Sequence, residues 1–203
     1  NPNPDTSNQK EESAELGSKS PKKMPQPFNQ ETNLKNKASL FLEDIEQQKF
    51  LDAYEKLSPE KKTEKFQVSN FAESTIPMNL HFYSGVEWDV KAYPLLTKKQ
   101  EEEEGKKNPG FELRGSITLD KVNAPLSNEQ LSAFKKVLSA DRYKALEKRN
   151  KDIEELLKED PSAITDRTRR MLISIIFLGD EHVAEENRNF KWGKETKWTI
   201  SKY

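Results

Sequence analysis

Met171-Leu172-Ile173-Ser174-Ile175-Ile176-Phe177-Leu178, closed by Gly179, is the one stretch of the chain where apolar side chains run almost without interruption. The run is far too short to cross a bilayer, which takes about 20 residues. An unbroken apolar run of this length is enclosed on every side, as a central helix or as a core strand. Apolar positions extend back to Ile164, and Gly179 suits a helix C-terminus, so the pattern favours a helix over 163–178. The β-branched Ile173, Ile175 and Ile176 keep a core strand as the alternative.

Outward from this run, the chain has 203 residues, enough for one domain with an appendage. Only 33% is hydrophobic, and much of the deficit falls in residues 1–36 and 97–110. Charged residues make up 34% but almost cancel, at net -1. That balance gives no general attraction to nucleic acid or to an anionic membrane. With no cysteine, disulfides, thiolate metal sites and cysteine nucleophiles are excluded. Two histidines, His81 and His182, lie about a hundred residues apart and leave little for histidine-based metal or triad chemistry. Phosphate loops, nucleophile elbows, zinc spacings and dinucleotide fingerprints are absent, so no catalytic residue, metal or cofactor is assigned.

Residues 1–36 are rich in Pro, Asn, Ser, Gln, Lys and Glu, with Leu16, Met24, Phe28 and Leu34 isolated among them. Such a segment has too little to bury to offset the entropy of ordering, and it reads as a disordered polar tether. The body is then 37–203. From Ala38 to Leu57 the spacing of Phe41, Leu42, Ile45, Phe50, Ala53, Tyr54 and Leu57 predicts a helix. Ser58-Pro59-Glu60 looks like a second helix start, carrying a short helix to about Asn70.

The period then changes to two. Residues 78–83 and 86–92 read as a hairpin with a three-residue loop, Tyr83-Ser84-Gly85, whose glycine would supply a positive φ. After the charge run at 97–110, read as a solvated loop rather than a calcium site, comes the clearest strand, 111–120. Phe111, Leu113, Gly115, Ile117 and Leu119 alternate there with Glu112, Arg114, Ser116, Thr118 and Asp120. It could pair with Val86–Tyr93 across the acidic loop. Ser127 and Gln130 form a capping box flanked by the staple pair Leu126 and Leu131, opening a helix over 127–157. A second start at Ser139 breaks that helix in two. Strands at 189–192 and 197–201 make a terminal hairpin. The fold class is therefore α+β: an antiparallel sheet of four to five strands packed on one face by helices.

Three clusters stand above the background. In the terminal hairpin, Lys191, Lys194, Lys197 and Lys202 interleave with Trp192, Trp198 and Tyr203, a pattern able to stack on bases or sugars. The alternation equally allows tryptophans in the core and lysines guarding an edge. Arg167, Arg169 and Arg170 would oppose the dipole at the start of a core helix, and so invite an acidic partner or nearby carboxylates. His81, Tyr83, Glu87, Asp89, Arg114 and Thr118 would share the wet face of the sheet, as a solvated surface or a polar site.

A start at Asn1 rather than Met, a polar tether and a compact body resemble the mature form of a bacterial surface lipoprotein, whose lipidated cysteine would stand just upstream. The resemblance covers the first 36 residues and is one of composition. It implies a non-catalytic, lipid-anchored protein at the bacterial surface or envelope, binding a host or envelope protein and touching membrane only through that anchor. The alternatives are a small enzyme or ligand-binding domain on the polar sheet face, and a cytoplasmic scaffold or nucleic-acid adaptor.

Overall fold

The computed structural model describes residues 30–95, 110–122, 124–163, 168–179 and 198–203. The proposed tether up to residue 29, the strand at 189–192 and the charge run at 97–109 lie outside them. In chain order the elements are α1 (Gln30–Glu46), α2 (Phe50–Glu55) and α3 (Val68–Thr75), then a 3-10 turn (Leu80–Phe82). β1 (Tyr83–Trp88), β2 (Tyr93–Pro94) and β3 (Gly110–Leu119) follow. α4 (Asn128–Val137), α5 (Ala140–Glu159), β4 (Arg169–Gly179) and β5 (Trp198–Lys202) complete the chain. The architecture is α+β, with one antiparallel sheet in the order β1-β3-β4-β5 and β2 beside β1 on the same edge of β3.

The apolar run at 171–178 is a central strand, not a helix. β4 pairs along its whole length with β3, Leu113 opposite Ile175 and Ile117 opposite Met171, and with β5 on its other side. Ile173, Ile175 and Phe177 are buried on one face. A run of branched side chains with a ladder available on both edges gains more as a strand, where branching costs no rotamer freedom. Gly179 ends a strand rather than capping a helix.

Four further expectations are corrected. The first helix begins at Gln30, so residues 30–36 belong to the body. Leu34, Ala38, Phe41, Leu42 and Ile45 form one fully buried stripe of α1, which draws Leu34 out of its apparent isolation. The helix predicted over 38–57 is interrupted between Glu46 and Phe50, where Gln48 takes φ 54°. Ser58 caps no helix: its N–H donates to the Ile200 carbonyl (2.8 Å), while the Ile200 N–H donates to Lys56 (2.9 Å). That parallel contact covers the outer edge of β5, and the next helix waits until Val68. Lastly, 78–83 is not a strand. Asn79 sits at φ 54° and Leu80–Phe82 coil into the 3-10 turn, burying Leu80 and His81 together. Among the described residues β1 pairs only with β3, and Gly85 lies at a bulge there without a positive φ.

The helix pair after the sheet forms as the capping pattern implies. Ser127 Oγ accepts from the Gln130 N–H (3.2 Å) and the Ser127 N–H donates to Gln130 Oε1 (3.0 Å); Ser139 caps the second helix. The core lies between the helices and one sheet face. Phe134 packs on Phe50 at 4.9 Å between ring centroids, and Phe41, Phe71 and Tyr203 cluster nearby. Each fully buried Leu or Phe contributes about 1.5–3 kcal/mol.

Candidate functional site

The sheet face turned away from the helices carries the even-numbered residues of β3 and β4. Glu112, Arg114, Ser116 and Thr118 alternate outward from the apolar positions of β3, as their sequence period requires. On β4 the same face holds Arg170, Leu172, Ser174, Ile176 and Leu178. The register sets Arg114 opposite Ser174, Ser116 opposite Leu172 and Thr118 opposite Arg170. β1 adds Glu87, opposite Ser116, and β2 adds Tyr93, opposite Glu112.

These side chains form a connected polar network. Arg114 donates to Glu112 at 2.9 Å and its guanidinium lies 4.6 Å from the centre of the Tyr93 ring. Ser174 Oγ donates to the other Glu112 oxygen at 2.6 Å. The Tyr93 hydroxyl donates to Asp89 at 3.2 Å, and Asp89 N–H donates to the Arg114 carbonyl at 2.8 Å. Hydrogen bonds from Arg114 and then Ser174 hold the Glu112 carboxyl below the usual carboxylate range. Across the sheet Arg170 pairs with Glu87 at 3.3 Å. Glu87, Asp89, Glu112, Arg114 and Ser174 line, together with Leu172, a shallow hollow of about 570 Å³ that is open to solvent. Leu172 is 90% exposed at its margin.

Of the sequence-predicted site residues, this face assembles Glu87, Asp89, Arg114, Thr118 and Arg170. His81 is not among them. It is 5% exposed, held between Phe82 and Phe134 on the helical side, with ring centroids at 4.2 and 6.0 Å. Burial, and then the charge of Arg149, pushes its pKa down to about 4, so the imidazole is neutral at pH 7. Tyr83 is half-buried, and burial followed by the charge of Glu43 raises its pKa. A general base drawn from His81 is therefore not part of the Arg114 hollow.

Arg169 and Arg170 open a strand, so no helix dipole opposes them, and Arg170 takes its carboxylate from Glu87. Arg167, Lys191, Trp192, Lys194 and Lys197 lie outside the described residues. Trp198 is buried against Phe111, at 5.6 Å between rings, and presents no aromatic surface to a partner. Lys202 is exposed on β5, and Tyr203 turns inward to share a 3.0 Å hydrogen bond with Ser74. Sequence reasoning missed Glu112, Ser174 and Tyr93. Ser174 carried a signal, as the only polar interruption of the apolar run.

Among the described residues no three His, Asp or Glu side chains converge in a way that could hold a metal ion. No described helix is long and apolar enough to cross a membrane. No family model, curated protein or solved structure matches the chain.

Proposed function

We propose that the protein is a non-catalytic binding domain that docks a protein partner on the open face of its sheet. The observation that carries this reading is the composition of β4: Leu172, Ile176 and Leu178 line a face that the helical layer does not cover, and Leu172 is almost wholly in water. A central strand apolar on both faces is suited to cover on both. Around Leu172 stand balanced ion pairs, Arg114 with Glu112 and Arg170 with Glu87. An apolar centre with a charge-paired rim is the anatomy of a protein interface. It does not suit a polyanion, which would ask for unpaired cations. The polar N-terminal stretch would act as a spacer, holding this face away from a bacterial envelope by an upstream lipid anchor.

The test places a photo-crosslinking residue at position 172 in the native cell, with position 51 on α2 as the control. A discrete protein adduct at 172, absent at 51 and lost on adding Arg170→Glu, is expected. Equal labelling at both positions overturns the docking face. Mass spectrometry of the mature N-terminus from the membrane fraction tests the anchor, and an unacylated N-terminus removes it.

A further inference from the structure

The strand register fixes which residues of the open face a two-fold contact would bring together. An axis lying in that face and running along the strands, midway between β3 and β4, exchanges each residue of β3 with its cross-strand neighbour on β4. It also exchanges the β1 flank of the sheet with the β5 flank. Leu172 of each copy then falls on Ser116 of the other, and Arg114 on Ser174.

Two observations fit the face to such a contact. The first is shape. Leu172 projects at 90% exposure, and beside it the short side chains of Ser116 and Ser174 line the shallow hollow. Facing sheets pack about 10 Å apart, which gives a leucine on one room over a serine on the other. The second is charge. Glu112 and Glu87 are answered within their own sheet, by Arg114 and Arg170. Among the described residues Asp89 and Lys202 have no ion pair, and they stand on opposite flanks of the face. Asp89 lines the hollow on the β1 side and accepts a hydrogen bond from the Tyr93 hydroxyl at 3.2 Å. Lys202 lies on β5 opposite Ile176, with its charge within reach of Glu112. Since Ile176 is opposite Glu112 and Glu112 opposite Tyr93, Lys202 and Tyr93 share one level of the sheet. The axis therefore carries the Lys202 ammonium of one copy to Tyr93 of the other, beside the Asp89 carboxylate. A second copy supplies the missing counter-charge at both flanks at once.

We propose that the occupant of the docking face is a second copy of this chain, the two sheets packed face to face about that axis, with Leu172 over Ser116 and Lys202 against Asp89 of the opposite copy. The inference rests on the docking face proposed above and names its partner. A short sheet of this width offers an interface at the low end of the size range, so the dimer forms in concentrated solution, or where copies are crowded together, and the dilute chain is monomeric.

Sedimentation of the full chain from about 10 µM to about 1 mM tests the association, and a rise from monomer to dimer mass across that range is expected. Asp89→Lys alone, or Lys202→Glu alone, places like charges at both flanks and should weaken the dimer about tenfold or more. An equimolar mixture of the two variants restores opposite charges at both flanks, as does one chain carrying both substitutions. Either should recover the parent affinity to within about threefold, an effect that damage to the fold would not produce. Leu172→Glu should leave a monomer whose thermal transition is unchanged. A monomer at every concentration, or charge variants that fail to recover on mixing, overturns the proposal. Crosslinking in the cell from position 172 separates this inference from the one beneath it. An adduct of twice the chain's mass supports the second copy. An adduct with a different protein overturns the second copy and leaves the docking face standing, while no adduct removes both.

Discussion

Phe177 and Leu172 belong to the same strand and to the same apolar run, yet Phe177 is sealed under the helices at 1% exposure while Leu172 stands in water. The two faces of the sheet differ in what holds them together. On the covered face Leu113, Ile117, Ile173 and Ile175 belong to one buried cluster with the α1 stripe, and burial of apolar area supplies the stability. On the open face the contacts are Arg114–Glu112, Ser174–Glu112 and Arg170–Glu87, all at or near solvent and worth little to folding. One strand thus answers two demands. Its odd positions build the core, and its even positions form a surface whose apolar content the fold itself does not require.

The sharpest way to break this comparison is to truncate both faces. Phe177→Ala should destabilise by about 3–5 kcal/mol, the range for large-to-small changes in a close-packed core. Leu172→Ala should stay within about 0.5 kcal/mol, as for surface positions without a structural role. Urea unfolding of both variants measures the difference, and comparable losses would show that the open face is covered in solution.

Next in size is the buried histidine. The pKa of His81 falls from 6.5 to about 4 on folding, so the unfolded chain binds the extra proton. Stability is therefore complete above pH 6.5 and is lost as pH falls toward 4, by about 3 kcal/mol in all from this group. His81→Phe should flatten the stability profile across that window. A variant whose profile still falls as steeply as the parent's would locate the acid sensitivity elsewhere.

Much of this arrangement was legible in the sequence, and the failures have a common cause. The helices after the sheet announced themselves through Ser127, Gln130 and Ser139, because capping is local chemistry between residues a few positions apart. Strand β3 was legible because Glu112, Arg114 and Ser116 alternate cleanly with buried partners. β4 was not, since its even positions are also apolar and an unbroken run has no period to distinguish strand from helix. Pairing with β3 and β5 decided it, and pairing is not local. His81 fitted an alternating pattern by accident. The chain there turns through Asn79 in the left-handed region, which puts Leu80 and His81 inward together. Leu34 and Ser58 were misjudged for the same reason, one recruited by the core and the other by the edge of β5. The Glu112–Ser174 contact depends on the β3–β4 register, which no short motif encodes.

A finer test concerns the close contact between β1 and β3. A Cβ added at Gly115 would meet the Glu87 carbonyl oxygen at 2.7 Å and Trp88 Cε3 at 2.8 Å. The backbone atom cannot move aside as a flexible side chain would, so Gly115→Ala should displace β1 and cost about 1–3 kcal/mol. Trp88 is also tied to α1 through Ser39, at 3.1 Å, so the strain should reach the covered face. Gly85, where an added Cβ meets nothing within 4 Å and no positive φ is required, is the control, and Gly85→Ala should be near neutral.

The smallest expected effect on folding is also the most informative about function. Arg170→Ala breaks the pair with Glu87, whose two side chains are both largely in solvent, so unfolding measurements should register almost no change. If the open face serves a partner, the same substitution removes one rim contact beside Leu172 and leaves the Glu87 charge unbalanced where the partner would dock. Crosslinking from position 172 should then fall while the thermal transition stays in place. A loss of stability without loss of crosslinking would reverse the roles assigned to the two faces, making the rim part of the scaffold and leaving Leu172 a bare leucine with no interface around it.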